Sequence, residues 1–372
     1  MSSLPAIETE EALRVSLRAR LAQGRRRTDE LFALLRPPAL YDRPIPEWHR
    51  IVFYLGHYEI FDWNLICRDA AGQDSAQPEF DELFRIGFPA ANDRRTDPPG
   101  DWPSEDVIRR ANQRWRADVD ACLDTVSFFS PPHPYFRQGY AFQYAIEHRL
   151  MHAETLTYKL HCLPLESMIP PPHKLELSAP VVKRRQIAIP AGRATLGLER
   201  AENNVFGWDN EYEGHTVDVP AFAIDSHNVT NADFLAFVRV GGYRERSLWS
   251  EADWTWKEAQ GLEHPLFWVR CGDAWHYRTL FEEIPLPLAW PVFVTQAEAA
   301  AYARWAGKSL PSEAQFHRAA YGTRDGRERL FPWGDEWPAA QHGNFDFQHW
   351  APVPVGSHPA GTSAFGVADL VG

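Results

Sequence analysis

No stretch of this 372-residue chain is apolar for long enough to span a bilayer, and Met1-Ser-Ser-Leu-Pro5 has neither the basic start nor the apolar run of an export signal. A cytoplasmic location is the expectation that follows. Cysteine is scarce: Cys67, Cys122, Cys162 and Cys271 lie far apart with no CxxC pair. That spacing argues against a disulfide framework and against a zinc-thiolate knot, and leaves reduced thiols as the default. Positive charge is also short, with a net charge of −12. Such a chain lacks the basic surface that releases counterions from nucleic acid. Hydrophobic residues at 44% and charged residues at 24% are those of a folded globular protein, long enough for two cores.

What is present divides into two grammars. From residue 9 to about 162 the pattern is helical. Leu13, Leu17, Leu21, Thr28, Leu31 and Leu35 form one stripe that stops before Pro37-Pro38. A second helix is expected from near Pro46 to about Asp69, apolar on several faces. Residues 71–101 form a long connection. Pro103-Ser104-Glu105-Asp106 then starts a third helix carrying Ile108, Trp115, Val119, Cys122 and Val126, and a fourth runs from about Phe136 to His161. Four helices with one long crossover predict a four-helix bundle over 1–163. Residues 164–183, with Pro170-Pro171-Pro172, form a linker. From 184 to 372 short segments alternate with turns: strands at Gln186–Ile189 and Thr216–Val219, helices at Asn231–Val238 and Gln296–Ala306. Most of the 15 tryptophans fall in this half, as in an irregular domain whose rings fill space that regular packing leaves open.

Three histidines stand out. His148 and His152 are four residues apart on the last helix, one turn above the other, on a stripe with Ala145, Thr155 and Lys159. Two rings so placed can reach one ion about 2 Å from each. Among fifteen histidines such a pair also arises by chance. His57 strengthens it, because it sits within an apolar helix beside Phe53, Ile60 and Phe61. A buried imidazole there needs both nitrogens satisfied, which a metal and one further acceptor achieve, whereas a hydrogen-bonded structural histidine is the plain alternative. Glu59, Asp62 and Glu154 are the nearby candidates for that supporting role. Three imidazoles without cysteine suit Fe(II) and Zn(II) alike.

Longer motifs carry a resemblance. Phe206-Gly-Trp-Asp-Asn-Glu211, Val229-Thr-Asn231, Tyr302-Ala-Arg-Trp-Ala-Gly-Lys308, Leu310-Pro-Ser-Glu313, Phe331-Pro-Trp-Gly-Asp335 and Phe365-Gly-Val-Ala-Asp-Leu-Val-Gly372 resemble the formylglycine-generating-enzyme-like domain, of irregular C-type-lectin-like α+β fold. Leu55-Gly-His57 and His148-xxx-His152-x-Glu154 resemble the metal motif of DinB-type bundles. The combination is similar to the EgtB-type ergothioneine synthases and their selenoneine-synthase relatives. That resemblance implies Fe(II) on His57, His148 and His152, O2 as co-substrate, hercynine as the imidazole substrate, and a thiol or selenium donor.

The departures are specific. Met151 stands where the family often has a glutamine that contacts the imidazole, and methionine donates no such hydrogen bond. Arg94 and Arg95, in the connection, are the candidates for binding the donor's carboxylates. Similar proteins continue beyond Val-Gly into a donor-binding stretch, so the domain is expected to lack its usual C-terminal end, and no catalytic acid is assigned. Two other readings remain: a zinc-dependent DinB-like thiol transferase, and a non-catalytic lectin-like binding protein whose bundle histidines are structural.

Overall fold

The computed structural model describes residues 9–75, 77–85, 98–172, 175, 177, 182–200, 206–347 and 349–372. They form two compact units. One extends to Pro171 and includes Phe206; the other begins at Pro172.

The first unit is helical. Helix α1 (Glu10–Ala33) starts at Thr9, whose hydroxyl accepts from the Ala12 amide, with Glu10 and Glu11 set against the positive end of the helix dipole. Leu13, Leu17, Leu21, Thr28 and Leu31 are buried along it, the stripe that the spacing predicts. Helix α2 (Ile51–Trp63) begins later than Pro46, because the Ile51 amide is held by the Asp42 carbonyl and the chain before it turns. It is buried almost all round, as befits a helix inside a core rather than on its surface. After Trp63 it widens into a π-helical turn, Asn64–Ala70.

The connection beyond is more ordered than its composition suggests. It contains α3 (Pro78–Phe84), with Pro78 in the first turn and Phe80 and Phe84 buried. Helix α4 (Glu105–Thr125) buries Ile108, Trp115 and Val119. Helix α5 (Tyr140–His161) starts four residues after Phe136, behind a 3₁₀ turn that ends at Gly139. That glycine has φ +73°, and a Cβ there would lie 2.5 Å from Leu17 Cδ1, so both conformation and contact exclude a side chain. Helix α1 packs on α5, α2 on α4, and α2 meets α5, which brings the His57 and His148–His152 segments face to face.

The second unit is built from small pieces. Strands β1 (Gln186–Ile189) and β4 (Phe222–Asp225) pair antiparallel, as do β2 (Gly192–Leu196) and β3 (His215–Val219). Strands β5 (Trp268–Cys271), β6 (Ala274–Arg278) and β7 (Glu283–Pro285) form an antiparallel sheet in that order. Between them lie α6 (Asn231–Arg239), α7 (Glu251–Gln260), α8 (Gln296–Trp305) and α9 (Glu313–Tyr321). Short helices need good ends, and Thr230–Asp233, Thr295–Glu298 and Ser312–Gln315 form reciprocal capping boxes. Rings do the packing: Phe234 contacts Phe237, Tyr243, Trp268 and Tyr302. No described helix is long and apolar enough to cross a membrane.

Candidate metal centre

His57 lies in the middle of α2, 2% exposed. Its Nδ1 is 2.6 Å from the carbonyl oxygen of Phe84 at the end of α3. A carbonyl only accepts, so Nδ1 carries the proton and Nε2 presents a lone pair. That Nε2 is buried with no hydrogen-bond partner. The supporting acceptor that His57 needs is therefore a backbone carbonyl rather than an acid.

On α5, the His148 ring stacks on Phe61 with centroids 3.6 Å apart, and its Nδ1 is buried without a hydrogen-bond partner. His152 has its Nδ1 3.4 Å from Thr155 Oγ1, while its own carbonyl accepts from the Tyr58 hydroxyl. The rings converge: centroids of His57 lie 5.2 Å from His148 and 5.1 Å from His152, and those two are 4.4 Å apart. One ring nitrogen from each lies within 4.8 Å of the others.

Burial sets their charge. Desolvation, outweighing the Phe84 carbonyl, brings His57 down to about 4. Desolvation also brings His152 down to about 3, with His57, Lys159 and Arg149 adding to the effect. His148 is lowered well below the usual imidazole range for the same reason, and by the two other rings. Near pH 7 all three are neutral, the form that binds a metal. Three convergent neutral imidazoles, with orphaned buried nitrogens on His57 and His148, fit a divalent ion of the Fe(II) or Zn(II) type.

Glu59 and Asp62 do not support the rings. They lie two and five residues from His57, about 200° and 140° around the helix, and so leave the ligand face. Both turn to Arg149, which is 0% exposed. Its guanidinium donates to Glu59 Oε1 (2.9 Å) and Oε2 (2.8 Å), Asp62 Oδ2 (2.5 Å), Thr28 Oγ1 (3.2 Å) and the Tyr58 carbonyl (3.3 Å). Arg116 of α4 joins through Glu59 Oε1 (2.6 Å) and reaches Asp29 of α1. One buried network thus ties the four long helices together. Burial pushes Glu59 up, but Arg149 and Arg116 outweigh it and hold that carboxyl low. Burial and the Glu59 charge push Asp62 up against the pull of Arg149.

Glu154 is exposed, two residues past His152 and off the ligand face. Met151 is 38% exposed. Arg94 and Arg95 lie outside the described residues. Lys159, on the stripe expected for the histidines, is buried with Nζ over the rings of Tyr54 (3.9 Å) and Trp48 (4.1 Å) and no hydrogen bond, and burial lowers it to about 7. Sequence reasoning missed Arg149 and the Phe84 carbonyl. Arg149 offered a signal, a charge next to His148 in a helix otherwise rich in buried positions; the carbonyl offered none.

The class of protein emerges from the second unit. The chain belongs to the family of the sulfatase-modifying factor enzyme 1-like domain, whose pattern matches residues 176–372, more than half its length. Its relatives include hercynine oxygenases and formylglycine-generating enzymes. It is 38% identical over 236 residues to hercynine oxygenase of Mycolicibacterium thermoresistibile, covering 63% of this chain and 52% of that protein. It is 34% identical over 298 residues to hercynine oxygenase of Mycolicibacterium smegmatis, covering 79% and 66%. Ergothioneine biosynthesis protein 1 of Neurospora crassa is 24% identical over 311 residues, covering 73% and 34%. The chain thus spans between about one third and two thirds of the length of these relatives. The match to the M. smegmatis protein is too long for the 176–372 domain alone, so the likeness extends into the helical unit.

Proposed function

We propose that this chain joins sulfur or selenium to the imidazole ring of hercynine in ergothioneine or selenoneine biosynthesis, using O2 and an Fe(II) ion held by His57, His148 and His152. The observation that carries this reading is the convergence of three buried, neutral imidazoles in a chain whose relatives include hercynine oxygenases. On this reading residues 1–163 are a DinB-like bundle, 164–183 a linker and 184–372 the formylglycine-generating-enzyme-like domain, acting in the cytoplasm.

Each residue then has a task. The Phe84 carbonyl holds the His57 tautomer with Nε2 free, and Phe61 fixes the plane of His148. Arg149 keeps α5 rotated so that its neighbours His148 and His152 face α2. The bound ion supplies one-electron chemistry with O2 and a positive charge that favours the anionic form of the sulfur or selenium donor. Met151 borders the ligand pair and contributes shape without a hydrogen bond, and Arg94 and Arg95 offer guanidinium groups to a donor carboxylate.

A zinc-dependent thiol transferase is the second reading, favoured by the same all-nitrogen set, which suits either metal. The test is O2 uptake by the full chain, loaded with Fe(II) under anaerobic conditions and given hercynine with cysteine, γ-glutamylcysteine or a selenosugar. Uptake with one donor, and a product whose mass carries sulfur or selenium, supports the proposal and identifies the donor. No uptake with any of them, together with selective retention of zinc, overturns it in favour of the transferase.

A further inference from the structure

The β5–β6–β7 sheet has one face in the core and one outside. Trp268, Tyr277 and Ile284 lie side by side on the buried face. Alternation then puts Cys271, His276 and Glu283, one from each strand, together on the other. His276 Nδ1 is 2.9 Å from Glu283 Oε1, and Cys271 Sγ is 3.5 Å from the same oxygen. One donor atom from each of the three lies within 4.8 Å of the other two.

The scaffold beneath them is fixed. Cys271 pairs with Ala274 across a two-residue turn opened by Gly272 at φ +61°. The β6–β7 connection is closed by Thr279, whose amide donates to the Glu282 carbonyl and whose hydroxyl receives the Glu282 amide. Bonds of roughly 2.0–2.3 Å in a tetrahedral site put ligand atoms roughly 3.3–3.8 Å apart. The 2.9 Å contact needs to open by only tenths of an ångström to admit an ion, and the 3.5 Å contact already lies in that range. Thiolate, imidazole and carboxylate together suit zinc far better than magnesium or calcium. Slight desolvation and the Glu283 carboxylate raise the Cys271 thiol, a repulsion that a divalent cation replaces by attraction. Arg278, directly across from Glu283 on the same face, tempers the affinity.

We propose that Cys271, His276 and Glu283 form a solvent-open, three-ligand site for a divalent transition metal, zinc(II) foremost, with water as the fourth ligand.

Cobalt(II) added to the metal-free full chain tests this, since a thiolate ligand gives a near-ultraviolet sulfur-to-cobalt charge-transfer band that the three bundle histidines cannot give. A saturable band is expected, displaced by zinc, absent in Cys271→Ser, retained in His152→Ala, and weaker in affinity by about tenfold or more in His276→Ala. In the unsubstituted protein, zinc should also slow alkylation of Cys271 by iodoacetamide by about tenfold or more, and should not in His276→Ala. A band that survives in Cys271→Ser, or no saturable band together with alkylation that zinc does not slow, overturns the proposal. Neither readout depends on turnover, so it stands or falls apart from the iron reading.

Discussion

The two units bury polar groups in different ways. In the second, buried charges hold up backbone: Arg318 donates to the Thr323 and Pro190 carbonyls, Lys257 to the Tyr243 carbonyl, and Glu298 caps α8. In the first, buried charges answer one another through Arg149, Glu59, Asp62 and Arg116, and the imidazoles beside them keep open nitrogens. The arrangement in the second unit supports segments that have little regular structure. The arrangement in the first unit ties its long helices together and leaves buried imidazole nitrogens open beside it, a pattern that functional sites share.

Removing a ligand should produce the largest effect. His57→Ala or His152→Ala is expected to take iron content after loading from about one ion per chain to near zero and to abolish O2 uptake, as read by metal analysis and an oxygen electrode. A variant that keeps its metal would erase the contrast between the units.

Next come the charges. Arg149→Met leaves Asp62 buried without its partner and Glu59 with Arg116 alone, and should cost about 3–5 kcal/mol in urea unfolding. Arg318→Met, which strands only carbonyls, should cost about 1–3 kcal/mol. Equal losses would mean that the two networks do the same job.

Acid sharpens the comparison further. The histidines have folded values below their ordinary 6.5, so the unfolded chain takes up protons first. The stability that depends on keeping them neutral is full above about pH 6.5 and is lost as pH falls toward about 4, by about 3 kcal/mol for His57 alone. Metal-free protein should show this slope, and His57→Ala should flatten it by one proton. The smallest change is at a cap: Thr230→Ala should lower stability by about 1 kcal/mol and leave metal content untouched.

How much of this was legible beforehand depended on the kind of signal. Leucine spacing in α1, the helix-start signal at Ser104, the cap at Thr230 and the i,i+4 histidines are local, and the elements that carry them lie where the chain suggests. Helices α7 and α9 carry caps at Ser250 and Ser312 but no leucine stripe. The buried residues of α9 are Arg318, Ala319 and Ala320, and α7 buries little beyond Lys257, so neither shows an apolar period. At the site, residue types were readable but partners were not. Glu59 and Asp62 sit near His57 in the chain yet serve Arg149, because angle around a helix decides more than distance along it. The Phe84 carbonyl became visible only once α3 had been placed against α2.

Arg149 has one more consequence. Histidines four apart fix a distance along the axis of α5 but leave its rotation free, and a turn of a few tens of degrees would scatter the three nitrogens. The guanidinium, forked onto two carboxylates of a facing helix, acts as a key in a shaft and permits one angular setting. Transplanting the three histidines into another bundle would therefore carry over a composition, while transplanting the arginine and its two acids with them would carry over an orientation.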